Sequence, residues 1–293
     1  MTEPVLVPER LDGSPTRRKR IQLLATDLDG TLLRSDNTVS ADTRAALLHA
    51  AEVGLRIVLV TGRPTRWLWE VADAAGYLGV VVAANGAMTF DLATATVLHE
   101  QLLTPQTLAE TTSRLRERFP GIRFAVDFGE DFSYEPGYTH DWEVTTVTDR
   151  NGDPMPEPRA AELPELTAQP CVKLLAKVAD ASPDDFWLTS SALLGNTVTV
   201  TRSATRALLE ISAPGVTKAT GLARYCTQHG VDAAEVAAVG DMPNDLSMLE
   251  WAGQSYAVAN AHPLAQQAAD VVLTETNDQE AVAHLIHRLT AET

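Results

Sequence analysis

The sequence predicts an α/β protein: a doubly wound, Rossmann-like parallel sheet core interrupted by an inserted α+β domain. Three observations carry this expectation. Short, mostly apolar runs at residues 21–25, 56–60 and 80–84 each end in a polar turn, and the first two lead into helical patterns, as strands buried on both faces of a parallel sheet do. After residue 86 the runs shorten and alternate, and a proline-rich connection spans 149–170, which marks a second unit with its own layering. The first pattern then returns at 208–211, 236–239 and 255–258, with helical stretches between. The expected division is a disordered tail at 1–20, a sheet domain made of 21–86 and 203–293, and an inserted domain at 87–202.

Taken in order, the strand at 21–25 opens onto Asp27-Leu28-Asp29-Gly30-Thr31, and a polar turn at 34–37 lies between two short extended pieces over the carboxylates. Ser40 suits the N-cap of a helix over 41–53 that Gly54 ends. The strand at 56–60 runs into Thr61-Gly62-Arg63-Pro64, with Pro64 suited to the first turn of the next helix, which stops near Gly76. Trp67 and Trp69 cannot share a helical face, so one is expected in the core and the other at the surface or a domain contact. The strand at 80–84 closes on Asn85-Gly86. In the insertion, a hairpin near 88–99, a helix at 105–119, strands at 122–126, 172–178 and 197–201, and a helix at 183–194 follow. Residues 127–143 read as an acidic loop whose Phe128, Phe132, Tyr134, Tyr138 and Trp142 are candidates to line a substrate pocket, and whose acids meet no Lys or Arg within the stretch. The closing part carries a helix at 218–228, the strand at 236–239 opening onto Gly240-Asp241-Met242-Pro243-Asn244-Asp245, a helix at 246–251 and a terminal helix from 279.

Composition narrows the function. Lys plus Arg total 23 against 39 Asp plus Glu, a formal net charge of −16, which sets the surface against nucleic acid and anionic membranes. No apolar run approaches the roughly eighteen residues of a membrane span, and no signal-like segment opens the chain. The two cysteines, Cys171 and Cys226, have neither metal-ligand spacing nor a disulfide framework, so a reducing, cytoplasmic location is expected, with both thiols acting as small buried apolar groups. The basic run Arg17-Arg18-Lys19-Arg20 is expected to be solvated.

The chemistry sits at the strand ends, where open α/β sheets collect ligands. Asp27 and Asp29 are close enough to repel, so the pair calls either for acid/base work or for a hard cation such as Mg²⁺. A calcium loop beginning at Asp27 would need a glutamate about twelve residues on, where the chain has Thr38. His284 and His287, three apart on the last helix, lack an evident carboxylate or thiol partner and read as a solvated face.

Asp27 with Asp29, Thr61, Lys218, and Asp241 with Asp245, in this order and at these places, resemble the haloacid dehalogenase superfamily. Asn85-Gly86-Ala87, Leu209-Glu210-Ile211 and Gly215-Val216-Thr217-Lys218 further resemble its Cof-type branch, with a large α/β cap between the second and third motifs; Ala219 stands where that branch has glycine. The resemblance spans about residues 20–293. It implies a cytoplasmic phosphatase in which Asp27 attacks phosphorus to form an aspartyl-phosphate and Asp29 serves as acid and then base. It implies Thr61, Gly62, Asn85, Lys218 and Asn244 around the phosphate. Mg²⁺ would be held by Asp27, the Asp29 carbonyl and Asp241, with Asp245 reaching it directly or through water. The implied substrate is a small phosphorylated metabolite, such as a sugar phosphate, a flavin precursor or pyridoxal phosphate. Two alternatives share the scaffold: a phosphotransferase or phosphomutase, and a metabolite-binding module without catalysis.

Overall fold

The computed structural model describes residues 20–139, 153–179, 181–202 and 206–291. Residues 1–19 of the tail expected at 1–20, and Asp141, Trp142 and Glu143, lie outside them. The apolar runs form an eight-stranded sheet from β1 (Leu23–Thr26), β2 (Arg56–Val60), β3 (Val80–Ala83), β4 (Met88–Asp91) and β5 (Thr96–Glu100). The six-stranded sheet of the insertion uses β6 (Arg123–Asp127), β7 (Phe132–Tyr134), β8 (Arg159–Ala160), β9 (Lys173–Lys177), β10 (Thr199–Thr201) and β11 (Leu208–Ser212). The chain then returns to the first sheet with β12 (Val236–Gly240), β13 (Gln254–Ala257) and β14 (Val271–Val272). Strand order is β14-β13-β12-β1-β2-β3-β4-β5 in the large sheet and β10-β11-β9-β6-β7-β8 in the small one.

β1 lies between β12 and β2, parallel to both, with Ala25 opposite Ala238 and Val58. Its Leu23, Leu24 and Ala25 are wholly buried, as are Val236 to Val239 of β12, which explains their uninterrupted apolarity. Helices cover this sheet in two groups: α1 (Ala41–Glu52), α2 (Leu68–Ala75) and the terminal α9 (Ala281–Ala291) pack together, and α6 (Lys218–Gln228), α7 (Leu246–Trp251) and α8 (Pro263–Ala268) form the other. In the insertion α3 (Pro105–Arg118) packs on α5 (Pro183–Leu194), and the short α4 (Leu163–Leu166) lies near β6. Several helix starts follow from hydroxyl caps: Ser40, Thr104, Ser182 and Thr217 each accept a backbone N–H from their own first turn.

Two expected memberships are corrected. The hairpin β4–β5, placed in the insertion by its alternation, extends the large sheet, because the tight turn after β3 lets the chain only fold back along the strand just made, with Val82 opposite Thr89. β11, expected to resume the parallel sheet, pairs antiparallel with β10 and β9 instead, Ile211 lying opposite both Val200 and Leu174. All five of its residues are buried, so its sequence mimics a parallel-sheet strand. By sheet membership the second crossing between the units falls after Ser212, not near 203. Trp67 and Trp69 are both half-buried, Trp69 against the edge of Phe90 at 5.8 Å and Trp67 under the Arg66 guanidinium at 5.1 Å, so neither is the core residue expected.

Candidate active site

The carboxyl ends of β1, β2, β3 and β12 meet where the strand order reverses direction, which is the ligand-binding crevice of such sheets. Asp27 follows β1 with its N–H donated to Val239 O at 3.0 Å. The chain then turns sharply through Gly30, at φ 74°, and a Cβ there would lie 2.4 Å from Asp241 Oδ2, so glycine is demanded both by the turn and by the approach of the two motifs. Thr31 Oγ1 donates to Asp241 Oδ1 at 3.3 Å, tying the β1 turn to the β12 turn.

Lys218 is the first residue of α6, behind the Thr217 cap, and its side chain is fully buried. Its Nζ donates to Asp27 Oδ1 and to Asp245 Oδ1, both at 2.6 Å. Asp245 Oδ2 accepts the N–H groups of Asp241 and Met242 at 3.0 and 2.9 Å, so this carboxylate also holds the turn that carries Asp241. Asp27, Asp241 and Asp245 present oxygens within 4.8 Å of one another. Three buried carboxylates against one ammonium leave the cluster short of positive charge. Burial and the neighbouring Asp245 accordingly push Asp27 well above the usual carboxylate range against the pull of Lys218, and push Asp241 up to about 7. Burial alone would lower the Lys218 ammonium, but Asp245 and Asp27 outweigh it and raise it. An all-oxygen, buried donor set with surplus negative charge fits a hard divalent cation such as Mg²⁺.

Asp29 stands apart. Its side chain is 52% exposed and is gripped by Arg63, whose Nε lies 2.9 Å from Oδ2 and Nη2 2.5 Å from Oδ1. Thr61, wholly buried at the end of β2, accepts the Arg63 N–H on Oγ1 at 3.0 Å. Asn85, held at φ 57° after β3, accepts from Asn244 Nδ2 at 3.1 Å and donates to Glu210 Oε2 at 2.5 Å. Gly62 O accepts the Lys173 ammonium at 2.7 Å. Asp27, Asp29, Thr61, Gly62, Asn85, Lys218, Asp241, Asn244 and Asp245 therefore gather at this end of the sheet. Sequence reading missed Arg63, Lys173 and Glu210 as members: Arg63 and Glu210 stood inside quoted motifs without a role, and Lys173, opening a buried strand, was the one signal of an internal cation.

The acidic stretch, expected as a loop with no Lys or Arg of its own, contains β7, and two of its acids find partners outside it. Asp127 is buried against Arg66, with oxygens 2.8 and 3.1 Å from its guanidinium. Glu135 pairs with Arg116 at 2.5 Å and accepts the Phe124 N–H at 2.9 Å. Phe132 and Tyr138 are packed with Ala125, Leu175 and Leu208 instead of lining an open pocket. Both cysteines are buried, and burial raises both thiols. His284 does have a carboxylate neighbour, Glu275 at 3.5 Å.

A family model for haloacid dehalogenase-like hydrolases matches residues 24–286. The chain belongs to that family, in its Cof-type branch. YxeH of Bacillus subtilis is 30% identical over 279 residues, covering 92% of this chain and 98% of that protein. The same organism's 5-amino-6-(5-phospho-D-ribitylamino)uracil phosphatase YcsE is 26% identical over 270 residues, covering 91% of this chain and 94% of its own. The solved structure of BT1666 from Bacteroides thetaiotaomicron, described among phosphatases of this superfamily, superposes with a TM-score of 0.74 at 25% identity, covering 94% of this chain and 97% of that one. With such relatives this Cof-type chain is an enzyme of the phosphatase kind. No helix among the described residues is long and apolar enough to cross a membrane.

Proposed function

We propose that the chain is a Mg²⁺-dependent phosphomonoesterase acting on a small phosphorylated metabolite through an aspartyl-phosphate on Asp27. The observation that carries this reading is the buried cluster in which one ammonium meets three carboxylates at the end of β1 and β12. Lys218 anchors Asp27 Oδ1, leaving the other oxygen to bond phosphorus while the ester P–O bond breaks and the departing oxygen takes a proton from Asp29. Water then attacks phosphorus, its proton passes to Asp29, and the bond to Asp27 breaks to release inorganic phosphate. Arg63 must loosen its hold on Asp29 for both transfers. Because Thr61 Oγ1 already accepts the Arg63 N–H, its own hydroxyl proton remains for a phosphoryl oxygen, and Asn244 has a second amide N–H beyond the one given to Asn85. Asp27, the Asp29 carbonyl and Asp241, with Asp245 directly or through water, would hold Mg²⁺, which when bound offsets the phosphate charge and orients the nucleophile. The insertion acts as a cap that excludes water and selects the leaving group. YcsE's ribityl substrate supports a polyol or sugar phosphate, with a flavin precursor or pyridoxal phosphate in the same class.

The test is inorganic phosphate release, with and without Mg²⁺, from phosphorylated sugars, cofactors and nucleotides, using Asp27→Asn as the blank. Magnesium-dependent release absent from the blank is expected. Product isomers without free phosphate would replace the reading with phosphoryl transfer, and binding without any turnover would replace it with a sensor.

A further inference from the structure

The small sheet sends two charged side chains into the phosphate site. Lys173 begins β9 and Glu210 lies in β11, its neighbour, and both are buried. Lys173 Nζ donates to Glu210 Oε2 at 3.0 Å and to Gly62 O at 2.7 Å, in the turn just after Thr61. The same Glu210 oxygen accepts from Asn85 Nδ2 at 2.5 Å, and Asn85 Oδ1 accepts from Asn244 Nδ2 at 3.1 Å. A Cβ on Gly62 would lie 3.2 Å from both Asn85 Oδ1 and Glu210 Oε2, so the turn is closely fitted to this pair.

The direction of this chain of hydrogen bonds is set chiefly by the Glu210 carboxylate, with Thr201 Oγ1 as a second, longer acceptor for Asn85 Nδ2 at 3.3 Å, its own hydroxyl being given to Glu210 O at 3.2 Å. An amide side chain can present either its oxygen or its nitrogen to a neighbour, but an ionised carboxylate only accepts. Glu210 therefore forces Asn85 to turn its Nδ2 outward and its Oδ1 back, and Asn85 in turn forces Asn244 to present Nδ2. Asn244 Oδ1 has no hydrogen-bond partner among the described residues, so nothing else there dictates its orientation. Lys173 balances the Glu210 charge and holds the Gly62 carbonyl, which keeps the Thr61 turn in place.

We propose that Lys173 and Glu210 are positioning residues that the cap supplies to the phosphate site: Glu210 sets the orientation of the Asn85 and Asn244 amides, and Lys173 holds the Thr61–Gly62 turn. The site is then complete only when the two sheets are docked as they are here, which couples closure to phosphate binding. This rests on the phosphatase reading of Thr61 and Asn244 as phosphate donors. Glu210→Gln keeps the shape but weakens the oxygen that Lys173 and Asn85 share, which the Lys173 donor still holds in place, and it leaves Lys173 without its counter-charge. The double variant Lys173→Met with Glu210→Gln removes that imbalance and, with the Lys173 donor gone, lets the new amide at position 210 turn its nitrogen to Asn85 so that both asparagine amides can reverse.

Inhibition by, and direct binding of, inorganic phosphate are measured in Mg²⁺ for the wild type and both variants, together with Tm and the turnover of p-nitrophenyl phosphate. Phosphate affinity is expected to fall by about 10-fold or more in the double variant and by less in Glu210→Gln. In the double variant Tm is expected to return toward wild type while phosphate affinity stays low. Affinity that recovers together with Tm, or that changes by less than about twofold in both variants, overturns the proposal by showing a merely structural pair. If Glu210→Gln does not fold, the double variant alone decides. A wild type that binds phosphate without hydrolysing any ester overturns the phosphatase reading and not this one, and a wild type that does neither overturns both.

Discussion

The molecule holds two sets of buried charges within reach of the same crevice, and they differ in balance. Around Lys218, three carboxylates face one ammonium. Between the sheets, Lys173 meets Glu210 and Arg66 meets Asp127, one charge against one. A balanced pair can be satisfied by its own hydrogen bonds and needs nothing from outside, whereas an unbalanced cluster is costly in a low dielectric until something cationic arrives or a proton is retained. Imbalance thus marks where a cation or a retained proton is called for, and balance marks where segments are held together.

The sharpest way to break that contrast is Asp27→Asn. Turnover should fall by roughly 10⁴-fold or more, as for the loss of a nucleophile, while Tm in metal-free buffer holds or rises because one of the repelling carboxylates is gone; a phosphate-release assay beside a melting curve reads both. Unaltered turnover would end the mechanism. Lys218→Met should act in the opposite direction on stability, removing the one ammonium in the cluster. A loss of about 3–5 kcal/mol is expected from the charges left uncompensated, visible as a reduced urea midpoint, and Mg²⁺ should restore part of it.

Arg66→Met, in the balanced set, should cost a similar or smaller amount, about 3 kcal/mol, yet Mg²⁺ should restore none of it. Equal rescue of both lysine and arginine variants by the cation would erase the distinction. The pH dependence is gentler. The folded Asp241 carboxyl titrates at about 7, above its ordinary 3.8, so the folded state binds the extra proton. Its contribution to stability is present below about pH 4 and is lost as pH rises through about 7 in the metal-free protein. Mg²⁺ competes with that proton, so the rise in Tm on adding Mg²⁺ should grow between pH 5.5 and 8, about neutral as midpoint. A pH-independent increment would place the cation elsewhere. Smallest of all, His284→Gln touches only an exposed contact with Glu275 and should change stability by less than about 0.5 kcal/mol with no change in the Mg²⁺ response; a lost response would point to a metal site on α9.

Much of this was readable from local chemistry. β2, α5 and α6 have the bounds expected from their apolar runs and caps, because Ser182 and Thr217 satisfy first-turn N–H groups within three residues. The clustered carboxylates were legible because Asp27 and Asp241 follow wholly buried strands, and only the crowded end of a buried sheet makes such acids informative. What misled was the same signal elsewhere: β11 is buried on both faces because a helix packs against its sheet from one side and the Asn85 turn presses from the other, not because it is parallel. The acids after β6 looked solvated because Arg66 and Arg116, their partners, lie in other segments of the chain.

The sequence by itself determined most of the strands and helices and which side chains stand at the strand ends, since caps, glycine turns and apolar periodicity act over a few residues; β7, β8 and α4 lie where it reads only as a loop or an irregular connection. Only the tertiary structure decided which sheet β4, β5 and β11 would join, that Arg63 would hold Asp29, and that Lys173 and Glu210 would reach the Thr61 turn. Those choices depend on register and docking between segments as far as 125 positions apart, as for Asn85 and Glu210. Pairing energies at that distance are set by the packing of the whole chain, and no local pattern encodes them.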